Sequence, residues 1–255
     1  MEKVDILVCN DDGIDAPGIN ALVNALKDIA NITVVAPDRQ QSAVGHALTL
    51  SSPLRAVPFH KDGELFGYAI NGTPADCVKI GLSGLIKKKP DFVVSGINHG
   101  QNTAVNILYS GTVSAATEGY LSGIKSIAFS LASHDYDADF SVAMKFVKRI
   151  VKNLISNKYD ENYLLNVNIP YTNEREIKGI KIVHHSDTVW KDKYEKRKDP
   201  FNREYYWFAG EYNIVNEDPD SDDNALQNNY VTITPLQFQI TDFDKIEKIK
   251  FLEDK

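Results

Sequence analysis

Apolar and polar positions alternate along this chain in runs short enough to be assigned one by one. Val4-Asp5-Ile6-Leu7-Val8-Cys9 is a short, mostly apolar run and predicts a buried strand. Pro17 suits the first position of a helix, and Ile19, Leu22, Val23 and Leu26 follow on one face at helical spacing. Ile32-Thr33-Val34-Val35-Ala36 predicts a second strand, closed by Pro37. Strand, helix and strand in such close succession form a βαβ unit, which predicts a parallel sheet with functional groups at the carboxyl ends of its strands.

From Leu48 to Ile70 the runs shorten and alternate around Pro53, Pro58 and Asp62-Gly63, the pattern of a small antiparallel insertion. Thr73 as N-cap and Pro74 behind it predict a helix running to about Ile86, with Lys87-Lys88-Lys89-Pro90 as its solvated end. Asp91-Phe92-Val93-Val94-Ser95 reads as a further strand that opens into the glycine-rich turn Gly96 to Asn102. Small residues at Ser110-Gly111-Thr112 lead into a helix, and Lys125 to Leu131 reads as a strand. Ser141 to Ile155 is the clearest amphipathic helix, with Val142, Phe146, Val147, Ile150, Val151, Leu154 and Ile155 on one face. Leu164 to Pro170 is expected to be the last strand of the core sheet.

Beyond Pro170 the pattern changes. Residues 187–212 mix charges with Trp190, Tyr194, Phe201, Tyr205, Tyr206, Trp207, Phe208 and Tyr212, and Asp199-Pro200 reads as a turn between two strands. Aromatics this dense on a hairpin need a surface to bury against, and a partner subunit would supply it. Glu217 to Asp223 reads as an acidic loop, and Tyr230 to Leu236 as a strand. The expected organisation is a catalytic core over residues 1–170 and a C-terminal, β-rich oligomerisation part over 171–255.

Composition narrows the function classes. Of 255 residues, 43% are hydrophobic and 25% charged, as in an ordinary globular protein with a sizeable core. A net charge of −7 argues against a general binder of nucleic-acid polymers. No run approaches the ~20 apolar residues of a membrane span, and the charged start does not resemble a secretory signal. With Cys9 and Cys77 alone, a disulfide framework is not expected and the cytoplasm is the expected compartment.

The candidate chemistry lies at the predicted strand ends. Asp11 and Asp12 follow the first strand directly, and Gly13 leaves the turn free to bring them together. Converging carboxylates repel unless a proton or cation lies between them. Asn10, Asp11, Asp12, Ser42, Asn98 and Asn102 all offer oxygen, and oxygen ligands select a hard cation such as Mg2+ or Mn2+. The Ser110-Gly111-Thr112 turn could hold a phosphate through backbone N–H groups. Each part has a plainer reading as a cap or a solvated loop. Together they point to metal-assisted hydrolysis of a phosphate monoester.

Five motifs occur in one order: Asn10-Asp11-Asp12-Gly13, Ala36-Pro37-Asp38-Arg39-x-x-Ser42, Asn71-Gly72-Thr73-Pro74-Ala75-Asp76-Cys77, Ser95-Gly96-Ile97-Asn98-x-Gly100-x-Asn102 and Tyr109-Ser110-Gly111-Thr112-Val113. On these the chain resembles the SurE family of stationary-phase survival proteins from Lys3 to about Leu236. The resemblance implies a Rossmann-like α/β fold, mostly parallel sheet flanked by helices, with a C-terminal extension that builds homodimers or homotetramers. It implies a 5'/3'-nucleotidase acting on nucleoside monophosphates, often with exopolyphosphatase activity, and one divalent cation per subunit. Asp11, Asp12, Ser42 and Asn98 would be its ligands, and Asn10, Asn102, Ser110, Gly111 and Thr112 would line the phosphate site. The expected mechanism is attack of a water on phosphorus, with Asp11 or Asp12 as ligand alone or as ligand and base. A covalent phospho-aspartate is the alternative, and the spacing does not match the Asp-x-Asp of phosphatases that use one. Ala43 stands where some members have glycine and Asn229 where glycine is usual, and neither is an expected ligand.

Rival classes lack their marks. A phospho-receiver signalling domain needs an acceptor aspartate after a middle strand, where this chain has Ser95-Gly96-Ile97-Asn98. A dinucleotide-binding domain needs Gly-x-Gly-x-x-Gly where this chain has acids.

Overall fold

The computed structural model describes residues 3–135, 137–157, 161–212 and 218–253. The expected βαβ unit is present as β1 (Val4–Cys9), α1 (Pro17–Leu26) and β2 (Ala30–Pro37), with β1 and β2 parallel. The antiparallel insertion is the hairpin β3 (Ala56–Lys61) and β4 (Glu64–Ile70), turning at Asp62-Gly63. It is not a separate unit, because β4 pairs parallel with β2 and extends the main sheet. Next comes α2 (Pro74–Ile80), where Thr73 and Asp76 exchange side-chain and backbone hydrogen bonds as a capping box. This α-helix is shorter than the expected run to Ile86, since residues 81–85 widen into a π-turn.

The central strand β5 (Phe92–His99) outlasts its expected end at Ser95 and carries Asn98 inside it. The chain continues through the short α3 (Asn106–Tyr109), α4 (Gly111–Leu121), β6 (Lys125–Ala132), α5 (Ser141–Ser156) and β7 (Leu164–Pro170). Past Pro170 lie β8 (Gly179–Ile182), β9 (Trp190–Lys191), β10 (Tyr194–Lys198), β11 (Glu204–Phe208), β12 (Glu211–Tyr212), α6 (Asp222–Gln227), β13 (Tyr230–Leu236) and α7 (Phe243–Ile246).

Among the described residues one sheet runs in the order β3-β4-β2-β1-β5-β6-β7-β13-β8. From β4 to β7 neighbouring strands are parallel; β13 then reverses against β7 and pairs parallel with β8. Leu164–Pro170 is therefore not the last strand of the sheet, which gains two more from the C-terminal part. Both faces are covered. Ile6 and Val8 point with Val94 and Phe129 toward Leu22 of α1 and Val147 of α5, while Leu7 and Cys9 point with Val93 toward Cys77 and Val78 of α2. Strand alternation separates the two sets, and burial on both sides explains why β1 carries almost no polar position.

β10 and β11 form an antiparallel arm that turns at Asp199-Pro200. Its side chains stay exposed, with Phe201 at 79% and Tyr206 at 59%. The expected acidic loop is different in kind. Glu217 lies outside the described residues, but Asp222 and Asp223 open α6 fully buried. Asp222 accepts from the amides of Ala104, Ser186 and Asp223, and Asp223 accepts from the hydroxyls of Thr188 and Ser221. These bonds offset the cost of burying two acids.

Candidate active site

Leaving β1, the chain turns over Asn10 to Gly13, and the Asn10 amide closes that turn by donating to the Gly13 carbonyl at 2.8 Å. Gly13 has φ +103°, and a Cβ there would lie 3.3 Å from the Arg39 carbonyl carbon, so glycine suits both its conformation and its space. The turn is laced to the segment after β2: Ile14 N–H donates to Pro37 O at 2.9 Å, and Gln41 N–H to Asp11 O at 2.7 Å. Asp12 accepts from the His99 amide at 3.2 Å, which joins the acidic turn to the end of β5.

Asp11 abuts the start of α4. It accepts the Thr112 hydroxyl, and a Cβ on Gly111 would come within 2.6 Å of the Asp11 Cβ. Ser110 caps this helix by accepting from Val113 N–H at 3.1 Å. Burial pushes the Asp11 carboxyl up to about 7, the Asp12 charge adds to the shift, and Thr112 opposes it. Burial also raises Asp12, against the His99 amide. Both acids are thus held where ionisation is uphill.

Ser42 comes from an irregular segment pinned on both sides, by the Gln41–Asp11 bond and by Gly45 N–H donating to Tyr109 O at 3.0 Å. Further along, His46 Nε2 lies 2.6 Å from Glu118, and Lys79 Nζ 2.9 Å from the other oxygen of that buried acid. The Ser42 hydroxyl accepts from Gln40 at 2.8 Å. Asn98 donates its amide to Gly100 O at 2.6 Å, leaving its side-chain oxygen for a ligand.

Asp11, Asp12, Ser42, Asn98, Asn102 and Ser110 line one cavity of about 700 Å³. Asn10 and Thr112 are not among its lining residues: Asn10 is 1% exposed and donates to Gly13, and Thr112 is fully buried against Asp11. Gly111 is not among the lining residues either, and it leaves no room for a Cβ against Asp11. Sequence reasoning missed the support beneath Asn102. Its N–H donates to Asn168 at 2.8 Å, its carbonyl accepts from Asn166 at 2.7 Å, and its amide donates to Ser130 at 2.9 Å. Two asparagines two apart inside a buried strand were the available signal, because polar groups there need a partner. Trp190, Tyr212 and His134, which also line the cavity, carried no such signal.

No lysine or arginine stands among the described residues lining this cavity, although two carboxylates do. An anionic substrate could approach the ionised pair only with a cation or a proton between. Among the described residues no group of three or more His, Cys, Asp or Glu is placed to hold a metal. The donors present are instead two carboxylates, a hydroxyl and an amide oxygen, a set that fits a hard divalent ion and leaves positions open.

Comparison with known proteins places this geometry in context. The model of the family described as survival protein SurE matches residues 6–192. A 5'-nucleotidase SurE of Flavobacterium johnsoniae is 45% identical over 241 residues, covering 94% of this chain and 93% of that protein. A 5'-nucleotidase SurE of Christiangramia forsetii is 46% identical over 242 residues, with the same coverage of 94% and 93%. The crystal structure of the SurE protein from Aquifex aeolicus superposes with a TM-score of 0.86 at 42% identity, over 98% of this chain and all of that one.

Proposed function

The chain belongs to the SurE family, and on that premise we propose that it is a metal-dependent phosphomonoesterase releasing phosphate from nucleoside 5'- and 3'-monophosphates. The observation that carries this reading is a cavity with two adjacent carboxylates and no lysine or arginine among its described lining residues. Asp11, Asp12, Ser42 and Asn98 would hold the cation. When bound, a hard divalent cation such as Mg2+ or Mn2+ neutralises phosphate charge and polarises the phosphoryl group.

The protein's own groups do the rest. Asn102, fixed by Asn166 and Asn168, and Ser110 at the start of α4 line the cavity where a phosphate would be oriented. Gly111, beside Asp11 at the first turn of that helix, would offer its main-chain N–H to that phosphate. Asn10 supports the acidic turn from behind. Asp12 is less buried than Asp11, and is the carboxylate with room to accept a proton from an attacking water.

The phospho-receiver alternative has no support, since β5 ends without an acceptor aspartate and the relatives are nucleotidases over nearly their full length. The exposed arm of residues 194–208 favours a homo-oligomer, because most of its aromatics keep half or more of their surface open. No described helix is long and apolar enough to cross a membrane. Cys9 and Cys77 are both free and buried, which fits a cytoplasmic setting.

Phosphate release from 5'-AMP, 3'-AMP and polyphosphate, with EDTA and then Mg2+ or Mn2+ added back, tests the proposal. Release that EDTA stops and a cation restores is expected. No release with any cation overturns it.

A further inference from the structure

Phosphate chemistry at Asp11 and Asp12 accounts for the polar lining of the cavity. It leaves the aromatic part of the wall unexplained. That part comes from the root of the arm, where β9 and β12 set Trp190 and Tyr212 directly opposite each other in an antiparallel pair. Their ring centroids are 5.2 Å apart, and Phe208 backs Trp190 at 5.7 Å.

The indole is pinned. Trp190 Nε1 donates to Asn106 Oδ1 at 2.7 Å, and Tyr212 OH stands 3.5 Å from the Thr103 hydroxyl. Thr103 and Asn106 follow Asn102, so the segment that carries Asn102 into the cavity also holds Trp190 and Tyr212. With its N–H already used, Trp190 has only its apolar surface to offer a ligand. The cavity, at about 700 Å³, is within the range of about 300–1,000 Å³ typical of small-molecule sites.

Resting on the nucleotidase reading, we infer that Trp190, with Tyr212 beside it, forms the wall on which the nucleobase stacks. Every base presents a π-face, so such a wall accepts several bases and favours nucleotides over phosphate esters without a ring. The arm then has two uses: its tip faces outward, and its root contributes to substrate selection.

Comparing kcat/KM for 5'-AMP and for glycerol 3-phosphate, each with saturating Mn2+, tests this in the full-length protein. Trp190→Leu is expected to lower the AMP to glycerol phosphate ratio roughly tenfold, within the range for loss of one base–aromatic stack, with the loss in KM for AMP. Trp190→Phe is expected to restore part of the ratio. An unchanged ratio overturns the inference, because a structural defect would lower both substrates alike. A second readout is independent of turnover. In Trp207→Phe protein Trp190 is the remaining tryptophan, and adenosine is expected to quench its fluorescence whereas ribose does not; no quenching by adenosine overturns the inference. Wild-type protein that quenches with adenosine yet hydrolyses neither ester would defeat the nucleotidase reading and leave the aromatic wall standing.

Discussion

The main-chain amide of His99 donates to the Asp12 carboxylate at 3.2 Å, across 87 residues of sequence. Through it the end of β5 is tied to the turn after β1, and Asn98 enters the same cavity as the two aspartates. β1 and β5 are parallel neighbours in register, Cys9 beside Ser95, so the turn and the strand end emerge at one edge of the sheet. The site is therefore set by strand order, and its parts can be tested singly.

Asp11→Asn and Asp12→Asn keep the side-chain shape and remove the charge. Each is expected to lower cation-dependent phosphate release by more than about 100-fold, since even outer-shell partners of a metal cost about 10–100-fold. Circular dichroism should show an unchanged fold. Full activity in either variant would remove that residue from the ligand set.

Burial and the neighbouring Asp12 raise the Asp11 carboxyl to about 7. An acid whose folded pKa exceeds its unfolded value, near 3.9, costs stability as pH rises between the two. Without a cation, this group makes the protein less stable from about pH 4 to about pH 7. A cation binds the ionised form, so the rise in Tm on adding Mn2+ is expected to be larger at pH 7.5 than at pH 5.5. Equal rises at both pH values would mean that Asp11 is already ionised at the lower one.

Gly111 touches Asp11 so closely that a methyl group has no place to go, with 2.6 Å from the built Cβ to the Asp11 Cβ. Gly111→Ala favours the helix by about 1 kcal/mol in propensity, yet it must displace the acidic turn. Lower activity and weaker cation binding, read by titration calorimetry, are expected. Wild-type cation affinity in this variant would show that the turn yields freely.

Ala43, at φ 55°, and Asn229, at φ 63°, are among the non-glycine residues on left-handed backbone. A left-handed conformation costs an ordinary L-residue about 1–2 kcal/mol, and asparagine tolerates it better. Ala43→Gly is therefore expected to raise stability by up to about 1 kcal/mol, and Asn229→Gly by less, at the close of α6 where glycine is favoured. Denaturant midpoints decide; a lower midpoint for Ala43→Gly would mean that unfolded-chain entropy outweighs the relief.

Much of the fold was legible in local pattern. Apolar runs marked β1, β2, β6 and β7, the face of α5 was correct, and Thr73-Pro74 marked the start of α2. The reading failed where a segment's state depends on distant contacts. Asp222 and Asp223 look like loop acids until Ala104, Ser186 and Thr188 supply donors in the interior. The extra length of β5 depends on pairing of Asn98 and His99 with Ser130 and Leu131 of β6.

By itself the chain determined the acidic turn, the parallel βαβ start and the oxygen-only character of the candidate ligands, because these follow from residue type and short-range periodicity. Tertiary structure alone decided that Thr112 bonds Asp11, that Asn166 and Asn168 brace Asn102, and that β13 and β8 complete the sheet. It alone brought Trp190 and Tyr212 to the cavity. The physical reason is that spacing along a chain records which face a side chain takes, while hydrogen bonds between segments about a hundred residues apart record which faces meet.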